Sequence, residues 1–116
     1  MYNNLSFSYV PFQTPSGNRY TYIAYLITPF TGFSHAAGNY MFAYKLPYGQ
    51  WQVLYVGQTN DFAARFSNHH KLNSAIKKGA THILVRVNDN EIARKLEEFE
   101  MIAWLTPELN ELLKYY

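Results

Sequence analysis

The chain has 116 residues, 48% hydrophobic and 18% aromatic, enough apolar surface for one small core and too little for several. It has no cysteine, which excludes disulfides, thiolate catalysis and cysteine-held zinc. Net charge is only +2 but is unevenly spread: residues 1–86 carry seven Lys/Arg against the single acid Asp61, net +6, and residues 87–116 carry three against seven acids, net −4. Between Phe62 and Arg86 stand five basic residues, three histidines and no acid, a pattern suited to a phosphate backbone. The start, Met1-Tyr2-Asn3-Asn4, lacks a basic region leading into an apolar run, and no apolar stretch approaches the roughly 20 residues of a membrane span. The expectation is a cytoplasmic protein with no membrane segment.

Residues 1–30 alternate as strands do, with Leu5, Phe7 and Tyr9 on one face, and Tyr20, Tyr22 and Ala24 following a break at Thr14-Pro15-Ser16-Gly17-Asn18; this predicts a hairpin. Pro29, Gly32 and the small residues from His35 to Gly38 form a connector. Tyr40 to Tyr44 reads as the next strand, Pro47 to Gln50 as a turn and Trp51 to Val56 as an antiparallel return, which brings Tyr40 and Tyr55 together across a hairpin. Gly57 interrupts the strand, and Asn60 or Asp61 can cap a helix through Phe62, Arg65, Phe66 and His69. Arg65 and His69 are four apart and would share one face of that helix.

Leu72 to Lys78 predicts a further short helix ending at Gly79. Thr81 to Val87 is the clearest strand, and Asn88-Asp89-Asn90 precedes the longest helix, from about Glu91 to Leu105. Thr106-Pro107 ends it, with a last short helix over Glu108 to Lys114. At about 100° per residue, Ile92, Leu96, Phe99 and Ala103 fall together as the expected core stripe. Glu98 lies between Ile102 and Leu105 and is expected to be half-buried, with Glu97 and Glu100 toward the side with fewer apolar neighbours. An unpaired, half-buried carboxylate is costly unless a cation sits beside it.

Six elements in order resemble the GIY-YIG endonuclease domain: Gly38-Asn39-Tyr40, Tyr55-Val56-Gly57, Arg65 ten residues after Tyr55, His69, Glu98 in Glu98-Phe99-Glu100-Met101-Ile102, and Pro107-Glu108-Leu109-Asn110. The resemblance spans about residues 38–111. It implies a small α/β (α+β) domain, a three-stranded antiparallel sheet flanked by helices over 38–116. Residues 1–37 would be an added N-terminal β-hairpin, serving as a sheet-edge extension, a DNA-contacting arm or a homodimer contact. It also implies hydrolysis of DNA phosphodiesters with one divalent metal, Mg²⁺ or Mn²⁺, held by Glu98. Arg65 would steady the phosphate, Tyr40 or Tyr55 would activate water, His69 would share the proton transfer and Asn110 would support the site. Lys71, Lys77, Lys78 and Arg86 are the candidate DNA-backbone contacts. The alternative is a nucleic-acid-binding or protein-interaction module on the same fold, with weak chemistry or none. Asn39 departs from the usual apolar middle of the first triplet and would loosen the strand, and the Tyr40 to Tyr55 gap is longer than the family pattern.

Overall fold

The computed structural model describes residues 7–29 and 31–110. Among them lie strands β1 (Phe7–Gln13), β2 (Arg19–Leu26), β3 (Gly38–Lys45) and β4 (Trp51–Thr59), helices α1 (Phe62–Ser67) and α2 (His70–Lys77), strand β5 (His82–Val87) and helix α3 (Glu91–Leu105). The five strands form one antiparallel sheet in the order β1-β2-β5-β3-β4. The fold is α+β, and the sheet has five strands rather than the three expected. The difference lies in β2, whose residues Ile23 to Leu26 pair with Val85 to His82 of β5, so that the N-terminal hairpin extends the same sheet. Leu5 and residues 111–114, parts of two expected elements, lie outside the described residues; 108–109 form a turn.

Local chemistry accounts for the boundaries. Thr14 N–H donates to the Asn18 carbonyl and Gly17 N–H to the Thr14 carbonyl, closing the first hairpin, with Gly17 at a positive φ that side chains disfavour. The Asp61 carboxylate accepts from Ala64 N–H to cap α1, and the Asn90 side chain accepts from Ala93 N–H to cap α3. The connector before β3 is fastened to α1: Phe62 N–H donates to the Ala36 carbonyl and Ala63 N–H to the Ser34 carbonyl. Beyond α3, Leu109 N–H donates to the Leu54 carbonyl, and the Asn110 amide brackets Val56, accepting from its N–H and donating to its carbonyl, each at 2.9 Å. This segment therefore covers part of the outer edge of β4, where unpaired backbone groups would otherwise lie open.

The sheet separates two cores. Helices α1 and α2 set Phe62 and Ala75 on Tyr40, Phe42, Leu54, Ile83 and Val85. Helix α3 sets Met101 and Ile102 on Val10, Tyr22, Met41, Val53, Val56 and Leu84 of the opposite face. The face that α3 buries is the reverse of the expected stripe: Ile92, Leu96 and Phe99 are 73%, 65% and 59% exposed, and Ala103 is exposed too. Arg94, Glu97, Met101 and Ile102 are buried instead. The polar pair is tolerated because each charge is bonded. Arg94 donates to the Gln58 side chain and to the carbonyls of Asn88 and Asp89. Glu97, 1% exposed, accepts from Tyr22 O–H at 2.5 Å and forms a salt bridge with Arg86 at 2.9 Å. Glu97 was expected on the apolar-poor side; it is instead the most buried acid of α3 among the described residues.

Candidate active site

Tyr40 and Tyr55 point from neighbouring strands toward the α1/α2 side, their ring centroids 6.2 Å apart. Their convergence depends on two irregularities of the sheet. The register shifts between Phe42 and Ala43, and Leu54 and Tyr55 both pack with the same core cluster, as a bulge permits. Gly57 lies inside β4 and does not end it, because the strand runs on to Thr59. Its lack of a side chain is what lets the Tyr40 ring cross it: a Cβ there would overlap the phenol oxygen and the ring carbons. Gly38 is confined likewise, by the Arg86 carbonyl and the Phe62 ring. Both triplet glycines thus have a steric reason in this chain.

Arg65, in the last turn of α1, stands near enough to both phenols to lower their pKa values by its charge and by hydrogen bonding. Desolvation outweighs it: burial, with the charges of Tyr55 and Glu98, leaves Tyr40 well above the ordinary phenol range, and Tyr55 is raised as well, by burial and the Glu98 charge against the lowering effects of Arg65 and Tyr40. His69 does not share a helix with Arg65 as expected. Helix α1 stops at Ser67, Asn68 leaves helical geometry, and His69 is the extended residue before α2, with φ −119° and ψ 101°. That break turns the imidazole inward, where it is 4% exposed with Nε2 2.8 Å from the Tyr40 hydroxyl. Burial, and then the charges of Arg65, His70 and Lys71, lower its pKa to about 4, so it is neutral at pH 7. With the phenol protonated and donating to Nε2, the ring proton sits on Nδ1, which has no hydrogen-bond partner in the structure.

Glu98 reaches the same region from α3. It is half-buried, it raises the pKa of both tyrosines, and desolvation raises its own pKa against the lowering effect of Lys95. Among the described residues it has no hydrogen-bond or ion-pair partner; Lys95 pairs with Glu91 and Arg94 with the groups named above. A desolvated carboxylate without a partner is a donor that fits a hard divalent cation, for which one or two carboxylates are sufficient. No three His, Cys, Asp or Glu side chains gather into a metal-sized group among the described residues. Asn110 touches none of these groups directly; its amide fixes Val56, the residue after Tyr55. Asn39 does not loosen β3: fully buried, it donates from Nδ2 to the Arg94 carbonyl at 2.9 Å and ties the strand to α3.

The four candidate DNA contacts divide. Lys71 and Lys77 belong to α2, and Lys78 follows it and pairs with Glu108 at 3.1 Å. Arg86 stands apart on the α3 side, held by Glu97 with its guanidinium over the Tyr20 ring at 5.2 Å. The residue that sequence patterning missed is Glu97, together with Tyr20, Tyr22 and Glu100. Tyr20 donates to Glu100 at 2.9 Å and has its pKa pushed up to about 12, chiefly by desolvation. Their only signal in the chain was the alternation of Tyr20 and Tyr22. No helix among the described residues is long and apolar enough to cross a membrane. No family profile, curated protein or solved structure matches the chain.

Proposed function

We propose that this protein is a metal-dependent endonuclease that hydrolyses DNA phosphodiester bonds at the cluster of Tyr40, Tyr55, Arg65, His69 and Glu98. The observation that carries the reading is the meeting of these side chains from β3, β4, α1, the α1/α2 break and α3, in the order that resembles the GIY-YIG domain. A phenol–imidazole pair, a guanidinium and an unpaired carboxylate have little structural reason to lie within electrostatic reach of one another.

Each residue has a chemically distinct task. Arg65 presents a planar donor fork matched to phosphate oxygens. A divalent cation held by Glu98, magnesium or manganese, would supply charge neutralisation at the scissile phosphate and the leaving oxygen. Tyr40, with its raised pKa, is a poor base alone. Because Tyr40 is buried, its hydrogen bonds to Tyr55 and to neutral His69 offer a path: the half-buried Tyr55 takes a proton from the attacking water as its own passes to Tyr40 and the Tyr40 proton passes to Nε2. The cations that depress His69 are Arg65, His70 and Lys71, so an incoming phosphate that offsets them makes the imidazole a better acceptor. Asn110 holds the strand that carries Tyr55, and Lys71 and Lys77 provide charge for the backbone beyond the cut.

The test is cleavage of plasmid and branched DNA with magnesium, in the wild type and in Arg65→Ala and His69→Gln variants. Loss of cutting by about two orders of magnitude or more in Arg65→Ala is expected; cutting undiminished in both variants overturns the assignment of roles. Salt-dependent DNA binding with no cutting by the wild type favours the alternative, a binding module on the same fold.

A further inference from the structure

Helices α1 and α2 leave part of their own side of the sheet uncovered. On the β1–β2 hairpin, Phe7, Tyr9 and Tyr25 cluster on that side, with Tyr9 and Phe7 in edge contact at 5.9 Å and Phe7 against Tyr25 at 6.1 Å. Phe7 and Tyr9 are 52% and 67% exposed, unusual for two neighbouring aromatics on one strand. The ledge leads to the candidate site without a gap: Tyr25 meets Phe33 at 6.0 Å, Phe33 meets Phe66 at 4.8 Å, and Phe66 meets the Tyr40 ring at 4.9 Å. Beside this path runs a groove of about 290 Å³ lined by Ile27, Thr31, Phe33, Phe66 and Leu72 among others.

Charge selects the occupant. Residues 1–60 contain Arg19 and Lys45 and no acid. Among the described residues Asp61 and Glu108 border this side, Asp61 hydrogen-bonded to His35 at 2.9 Å and Glu108 paired with Lys78, while Glu98 belongs to the candidate site at the far end of the path. Asp89, Glu91, Glu97 and Glu100 belong to α3 or the turn before it. An aromatic ledge whose own strands carry no acid, beside a basic helix, suits a polyanion that carries flat rings, and base–aromatic stacking is tolerant of sequence because every base has a π-face.

We propose that the Phe7–Tyr9–Tyr25 ledge is a stacking platform for unpaired bases, which holds single-stranded nucleic acid along the aromatic path to the candidate site. The proposal rests on the nuclease reading only in taking nucleic acid as the ligand. It implies a preference for substrates with an unpaired segment next to the scissile bond, such as flaps, forks or single strands, over continuous duplex.

Fluorescence anisotropy in EDTA, so that nothing is cut, tests it with a labelled single strand, as DNA and as RNA, against the same sequence as duplex. Wild type is expected to bind the single strand at least as tightly as duplex. Tyr9→Ala and Phe7→Ala should each weaken single-strand binding about tenfold, with less than about twofold change on duplex and an unaltered salt slope. Tyr9→Phe should retain binding, since it keeps the ring. Lys77→Ala should lower the salt slope by about one for both ligands. Unchanged single-strand binding in both alanine variants, or an equal loss on duplex, overturns the platform. So does loss of self-association in sedimentation with nucleic-acid binding intact, which would make the ledge a protein contact. Single-strand binding that needs Tyr9 while no substrate is ever cut removes the catalytic reading and leaves the platform standing; cutting indifferent to Tyr9 does the reverse.

Discussion

The acids Glu97 and Glu100 of α3 and the groups of the candidate site meet their surroundings in opposite ways, with Asn39 Oδ1, buried without a partner beside α3, as the exception on that side. On the α3 face Glu97 is bonded to Tyr22 and Arg86. Beside it, Glu100 accepts from Ser16, Asn18 and Tyr20 and has its pKa lowered to about 2, first by Ser16 and then by Thr14, Asn18 and Tyr20. These acids are saturated. On the α1/α2 side Tyr40 is shared among His69, Arg65 and Tyr55, His69 Nδ1 is unbonded, and Glu98 lacks a hydrogen-bond or ion-pair partner among the described residues. A satisfied network fixes structure, whereas groups left short of partners retain capacity for a ligand. Glu97 and Glu98 are adjacent in sequence and fall into different classes because 100° of helical rotation carries one under the sheet and the other to its rim.

Substitutions break this comparison in order of expected size. Glu97→Ala leaves the Arg86 guanidinium and the Tyr22 hydroxyl without their partner and should cost about 3–5 kcal/mol of stability, read by urea denaturation; a loss under about 1 kcal/mol would remove Glu97 from the structural class. The next effect is one of pH. The folded-state pKa of His69 near 4 lies below its ordinary 6.5, so the unfolded chain binds more protons between those values. Stability contributed by neutral His69 is therefore full above pH 6.5 and falls as pH drops toward 4, by on the order of 3 kcal/mol. Thermal unfolding across pH 4–7 checks it, and His69→Gln should flatten the dependence in that window.

Gly57→Ala drives a methyl group into the Tyr40 ring and should cost about 1–3 kcal/mol. It should also depress cleavage further than its stability loss explains. Smallest in stability is Glu98→Gln: removing a desolvated charge that has no partner should change unfolding free energy by less than about 1 kcal/mol. The contrast with Glu97 is sharpest in this pair, and equal destabilisation by the two substitutions would erase the distinction.

Much of the scaffold was legible because its signals are local. The Thr14 to Asn18 and Pro47 to Gln50 turns, the caps Asp61 and Asn90, and the glycine after α2 each act within a few residues. The pairing of β2 with β5 was not legible, since it joins segments about sixty residues apart with no local marker. The buried face of α3 was misread because counting apolar residues assigns Arg94 and Glu97 to solvent. Only the tertiary partners Gln58, Tyr22 and Arg86 make their burial tolerable. His69 was assigned to the first helix by its spacing from Arg65, but Asn68 and His69 leave helical geometry, and that break is what delivers the imidazole to Tyr40.

The most direct test of the account is nicking of supercoiled plasmid and cleavage of a flap substrate with and without magnesium, comparing wild type with Glu98→Gln. The variant's fold is to be verified first by circular dichroism and denaturation. The account predicts magnesium-dependent cutting by the wild type and its loss by at least about a hundredfold in a variant as stable as the parent. Undiminished cutting by Glu98→Gln, or no cutting by the wild type on any of these substrates, would contradict it.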